Sequence, residues 1–153
     1  MNIATPDKIS MMAVSNGNLL RENEQNTINE RAKYTANTGI VLISTANSNL
    51  DGTGTLGTVL TAADNGTLIK TITINAIGNT TQGMVRLFVY DGSSVTNLIE
   101  EFEIPPSIVS GTYPAYSISY DVNYNLKRDY VLKASTQNAE NFTVIAEGLN
   151  WAY

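Results

Sequence analysis

Beyond Gly39 the apolar positions recur with a period of two, the pattern of half-buried strands rather than of helices. The alternation is cleanest from Pro114 to Leu126, where Tyr116, Ile118, Tyr120, Val122, Tyr124 and Leu126 share one side. Leu68 to Ile77 places Ile72, Ile74 and Ala76 on one face. Gly39 to Ser44 is a short apolar run, and Thr58 to Thr61 predicts a short strand. Met84 to Tyr90 is apolar on both faces apart from Arg86, which predicts a central strand with one face against a partner or under a loop. Leu98 to Ile104 predicts the strand that pairs back on it, with Glu101 and Glu103 on one face and Glu100 on the other. Asp129 to Ser135 and Asn141 to Tyr153 complete the set.

Turn formers separate these runs. Asn47 to Gly57 is dense in Asn, Gly and Asp, and Ala63-Asp64-Asn65-Gly66 carries the Asn-Gly pair favoured in hairpins. Asp91-Gly92 turns one strand, and Pro105-Pro106 stops another because proline cannot donate to a sheet ladder. About eight short strands with no intervening helical pattern predict an all-β protein, an antiparallel β-sandwich. The jelly roll is the favoured version, with residues 105–113 as a crossover between sheets.

Residues 1–38 differ. They are polar and Asn-rich, and Leu19, Leu20, Ile28 and Ala32 make no continuous helical stripe, although a short helix over 21–34 fits locally. The division is therefore an N-terminal arm, 1–38, and a β-sandwich domain, 39–153. The arm reads either as a frayed tail or as a segment that orders against a neighbouring subunit.

Composition narrows the function. The chain has 153 residues, a net charge of −5, and no His and no Cys. This removes the commonest general base, disulfides and thiolate metal sites, so no catalytic, cofactor or metal residue is assigned. Residues 1–38 are charge-balanced, and the remainder, with five basic and ten acidic residues, holds the excess. No Lys/Arg cluster exists to neutralise phosphates or bind a membrane surface. No apolar run approaches the ~20 residues that span a bilayer, and the first ten residues lack a signal-peptide pattern. The expectation is synthesis in a cytoplasm and export, if any, by assembly.

Candidate chemistry is sparse. Asp51-Gly52-Thr53-Gly54-Thr55 resembles an aspartic-protease loop, but no second such motif supplies the partner carboxylate. Gly52, Gly54 and Gly57 lack the Lys and the helix of a phosphate loop. Glu100, Glu101 and Glu103 read as a carboxylate pair or, more simply, as charges protecting an edge strand. Tyr113, Tyr116, Tyr120, Tyr124 and Tyr130 are the most suggestive cluster: a contact surface, a platform for sugars, or half-core residues with hydroxyls at the rim. Trp151 and Tyr153 predict a docked chain end.

Two stretches resemble a family of small β-sandwich proteins encoded in bacteriophage and prophage structural-gene regions. One is the DGTGT turn at Asp51 followed by Thr80, Thr81, Gly83, Met84, Val85, Arg86, Leu87, Phe88, Asp91 and Gly92 of the TTQGMVRLFVYDG hairpin. The other is Ala134 to Gly148, ASTQNAENFTVIAEG. The resemblance covers Gly39 to Tyr153, about three quarters of the chain, and leaves the arm outside it. It implies a virion protein, a capsid auxiliary or decoration subunit on the capsid exterior, with the major capsid protein and its own copies, in a trimer, as partners. A tail or baseplate adaptor and a surface glycan-binding module are the alternatives. Leu19, Leu20 and Ile28 of the arm and Tyr113, Tyr116 and Tyr120 are the expected partner-binding residues, and Arg86 is expected to pair with a carboxylate or cap a turn.

Overall fold

The computed structural model describes residues 34–152. The strands run in the order β1 Tyr34–Ile43, β2 Gly57–Thr61, β3 Thr67–Ala76, β4 Gly83–Tyr90, β5 Thr96–Ile104, β6 Ser117–Leu126, β7 Val131–Thr136 and β8 Phe142–Trp151. They form two four-stranded sheets, ordered β1-β8-β3-β6 and β2-β7-β4-β5. There is no helix among the described residues. The expected all-β antiparallel sandwich is what the chain forms. The pairs β3–β6, β3–β8, β2–β7, β4–β5 and β4–β7 are all antiparallel.

Among the described strands, only β4 and β5 are consecutive and paired within one sheet; the other connections between described strands cross between sheets. The Asn65-Gly66 turn therefore corrects the hairpin expectation. It is closed by Gly66 N–H donating to the Ala63 carbonyl at 2.8 Å, but it hands the chain from β2 in one sheet to β3 in the other. A turn signal specifies a reversal and not which neighbour the next strand finds. The β4–β5 hairpin is held at its tip by Asp91, whose Oδ1 accepts from the backbone N–H groups of Ser93, Ser94 and Val95 and from the Ser93 hydroxyl. These bonds, the Val95 amide first, hold its carboxyl well below the ordinary carboxylate range.

Alternation builds the core. Ile69, Ile72 and Ile74 of β3, Val85 and Leu87 of β4, Phe102 and Ile104 of β5, Leu132 and Ala134 of β7, and Phe142, Val144 and Ala146 of β8 fill the space between sheets. Each fully buried Ile, Leu or Phe contributes about 1.5–3 kcal/mol. Bulges adjust the fit at Val59, Lys70 and Ile99, where the pairing register shifts.

Strand ends depart modestly from the alternation. β1 begins at Tyr34, so Tyr34 to Thr38, assigned to the arm from composition, are strand residues. Their polar side chains hide the strand, because both sides of this part of the edge strand are largely exposed. β6 starts at Ser117 rather than Pro114.

One end of the sandwich gathers the connections 77–82, 105–116 and 137–141, and the other gathers 62–66, 91–95 and 127–130. At the first end the loops are laced together. Thr80 and Ser107 exchange backbone hydrogen bonds, and Thr80 Oγ1 donates to the Pro105 carbonyl at 2.7 Å. Val109 N–H donates to Asn79 Oδ1 at 2.8 Å. Glu140 Oε1 accepts from the Thr81 N–H and hydroxyl, and Asn138 Nδ2 donates to the Gln82 carbonyl.

Candidate functional site

The outer face of the β2-β7-β4-β5 sheet is closed by the chain itself. On β4, Val85 and Leu87 face the core, so Arg86 and Phe88 point the other way; both are nonetheless buried. The cover is the β1–β2 connection, which crosses this face as a strap. It is joined to β7 by Asn47 N–H donating to the Thr136 carbonyl at 2.8 Å, and it reaches the start of β5, where Gly52 lies against Thr96. β4 is thus internal in its sheet with its outer face under a loop, one of the two environments its double-sided apolarity predicts.

Arg86 fastens this arrangement. Its Nε donates to Glu101 Oε1 at 2.7 Å, and its Nη1 donates to the Asn47 carbonyl at 3.3 Å. The carboxylate pairing expected of Arg86 is made with Glu101, and its second bond goes to a backbone carbonyl of the strap. Asn47 then organises the strap: its Nδ2 donates to the carbonyls of Thr53 and Thr55, and its Oδ1 accepts from Asn49 N–H. Asp51 Oδ1 accepts from the Thr53 N–H and hydroxyl, so the DGTGT segment is a side-chain-closed turn. The Thr53 hydroxyl and amide hold the Asp51 carboxyl below the ordinary range. Gly52 and Gly54 have φ of 79° and 80°, a region glycine enters without steric cost.

The glutamates separate. Glu101 serves Arg86 on the strap side, whereas Glu100 Oε2 accepts from the Tyr124 hydroxyl at 3.0 Å. The Glu100 carboxylate is thus engaged with β6 while Glu101 faces the strap, an arrangement unlike two carboxyls flanking one scissile bond. β5 is an edge strand, as its charges suggested. Among the described residues, no group of three or more metal-ligating side chains converges.

The tyrosines divide as well. Tyr120 and Tyr124 lie half-buried on the core-facing side of β6, and Tyr116, in the connection just before it, is half-buried against the same core. Tyr120 packs on Phe102 with ring centroids 4.5 Å apart. Burial, followed by the neighbouring Tyr120 and Glu103, raises the Tyr116 phenol above its ordinary value. Burial first, then the hydrogen bond to Glu100, pushes Tyr124 up to about 12. Tyr113 is different: it sits on the laced loops and is 70% exposed, on the same connection as Ile108, 77% exposed. Ile77 and Val109 are exposed at this end too. Sequence reasoning passed over Ile77, Ile108 and Val109, since isolated apolar residues in loops carry no periodic signal. Leu19, Leu20 and Ile28, and the helix suggested over 21–34, lie outside the described residues, as does Tyr153. Trp151 ends β8, its N–H donating to the Gly66 carbonyl at 3.2 Å.

No protein-family model matches the chain, and no curated protein does. Among solved structures it is similar to a crystal structure of a pentameric capsid protein isolated from metagenomic phage sequences, at 17% identity and a TM-score of 0.37, over 74% of this chain and 59% of that one. A second structure of a pentameric capsid protein from metagenomic phage sequences, solved by iodide SAD phasing, gives 17% identity and a TM-score of 0.37, over 74% of this chain and 66% of that one. The chain thus spans less than two thirds of the length of either. A likeness this loose carries no argument about function.

Proposed function

We propose that this chain is a structural virion protein of a bacteriophage, a capsid auxiliary or decoration subunit that docks on an assembled shell and stabilises it. The observation that carries the reading is the strap. The residues that mark the resemblance to phage structural proteins, the Asp51–Thr55 turn and Arg86 in its hairpin, meet in one framework that seals a sheet. Their chemistry is spent on rigidity, which suits a scaffold better than a catalyst. The strand orders β1-β8-β3-β6 and β2-β7-β4-β5 support a jelly-roll reading, a wiring found in viral capsid and lectin domains.

In this reading the laced loop end meets neighbours. Tyr113 and Ile108 contact the major capsid protein, and the arm, through Leu19, Leu20 and Ile28, straps an adjacent subunit. Copies assemble with closed symmetry, in a trimer. Many weak contacts then hold the coat by multivalency.

Gold-labelled antibody on purified particles of the source virus tests this. Label spread over the whole head supports decoration. Label confined to the tail replaces it with an adaptor role. Absence of the protein from particles by mass spectrometry ends the virion reading.

A further inference from the structure

One hydroxyl beneath the strap has no protein partner. Ser135 stands opposite Arg86 in the β4–β7 register, so its side chain shares the strap side of the sheet. It is 1% exposed, and among the described residues its Oγ is the one buried side-chain oxygen or nitrogen without a hydrogen-bond partner. Beside it lies a cavity of ≈ 100 Å³, lined by residues 42–45 and 55–57 and by Ser135 itself. The two segments are the roots of the strap, where the chain leaves β1 and where it enters β2. We propose that this cavity is a structural-water site, in which ordered water held on Ser135 Oγ bridges β7 to both roots of the strap. The inference does not depend on the virion reading.

A buried hydroxyl without a bond is costly, and nearly all buried polar groups are bonded to protein or to ordered water. The fold supplies protein partners to the polar groups around Ser135. Thr136 Oγ1 donates to the Asn138 carbonyl, and Arg86 reaches Glu101 and the Asn47 carbonyl. The Asn47 amide is spent on the carbonyls of Thr53 and Thr55 and on the Asn49 N–H. Ser135 is left with one donor and two lone pairs, and water satisfies both kinds. Space suffices: a water needs about 10–15 Å³ of such volume, and the cavity holds several times that. A buried water also needs about two to four polar partners. Ser44, Thr45 and Thr55 stand at the cavity, and their hydroxyls make no hydrogen bond to a described residue. These three are exposed and form the mouth, with Ser135 at the inner end. Arg86 and Asn47 thus pin the middle of the strap directly, and water fills the seam at its ends.

Other occupants fit poorly. The cavity is smaller than the roughly 300–1,000 Å³ of small-molecule sites. No carboxylate lines it, and a cation there would meet only neutral oxygens on the face that carries the Arg86 guanidinium. No Lys or Arg lines it for an anion, and Arg86 Nε and Nη1 are already bonded. An apolar group would leave the Ser135 hydroxyl unbonded.

A high-resolution crystal structure of the full chain, and water-to-amide cross-relaxation in the isotope-labelled protein, test the proposal. The expected result is a water peak at about 2.5–3.0 Å from Ser135 Oγ, bonded also to a strap residue. Cross-peaks from water to the Ser135 and Leu56 amides should carry the sign of water held longer than the protein tumbles. Ser135→Ala should remove that water and lower the urea midpoint. No density at Ser135 Oγ together with blank cross-peaks in the wild-type protein overturns the proposal. So does a urea midpoint that rises in Ser135→Ala, the outcome of removing a dry, unpartnered hydroxyl.

Discussion

Arg86 and Glu101 stand opposite each other in the β4–β5 register, joined at 2.7 Å, with the cation 8% and the carboxylate 40% exposed. The asymmetry matters. The buried member has lost its water and depends on two protein acceptors, while the carboxylate keeps much of its solvation. The pair is therefore a fastening whose cost of rupture falls mainly on the arginine side.

Arg86→Ala is expected to destabilise the fold by about 2–4 kcal/mol, since it removes a buried side chain and the strap's bond to β4. Glu101→Gln keeps a neutral acceptor beside the guanidinium and should cost about 1–2 kcal/mol. Urea unfolding of both variants measures the difference. Limited proteolysis should show new cleavage within 48–55 in Arg86→Ala. A loss below about 0.5 kcal/mol, the size of an ordinary surface change, would mean the strap holds without Arg86.

Two glycines make a contrast. A Cβ at Gly52 would come within 2.6 Å of Thr96 Cβ, at a φ of 79°, whereas one at Gly111 meets nothing within 4 Å. Gly52→Ala should cost more than about 1 kcal/mol, and Gly111→Ala should be neutral or slightly stabilising. Thermal melts of the two proteins decide it, and equal melting temperatures would contradict the strap's seating on β5.

Tyr124 gives a pH signature. Its phenol is raised to about 12, so the folded state favours the neutral form. That contribution is fully present below the unfolded value of about 10 and is lost as pH rises through about 12. Stability should fall across this window, and Tyr124→Phe should flatten the fall. Glu100→Gln should shift the folded titration downward. Absorbance of tyrosinate in wild type and Tyr124→Phe measures the step; a Tyr124 that ionises near 10 would refute the buried, hydrogen-bonded geometry.

Ile108→Lys and Tyr113→Ser alter only exposed loop side chains. Each should change stability by no more than about 0.5 kcal/mol while reducing co-sedimentation with particles that lack the protein. Unchanged attachment in the double variant would remove the laced end from the docking surface.

The sandwich was legible because burial imposes a period of two, and β3 and β6 display it almost without interruption. Arg86 was legible as a residue needing a partner, since a charge amid Val85, Leu87 and Phe88 has few other fates. Which partners it takes was not. Glu101 is a neighbour only through the β4–β5 register, and the Asn47 carbonyl only through the path of a long connection.

The order β1-β8-β3-β6 also sets a timetable. The first described strand lies beside the last, so β1 emerges from the ribosome about 100 residues before its neighbour exists. At about 5–20 residues per second this is a wait of about 5–20 seconds. During it, an uncharged ten-residue strand, YTANTGIVLI, lacks its β8 partner. The sheet closes only after synthesis has passed Phe142, so folding is a late, whole-chain event. A chain halted before β8 leaves β1 exposed to pairing with another copy.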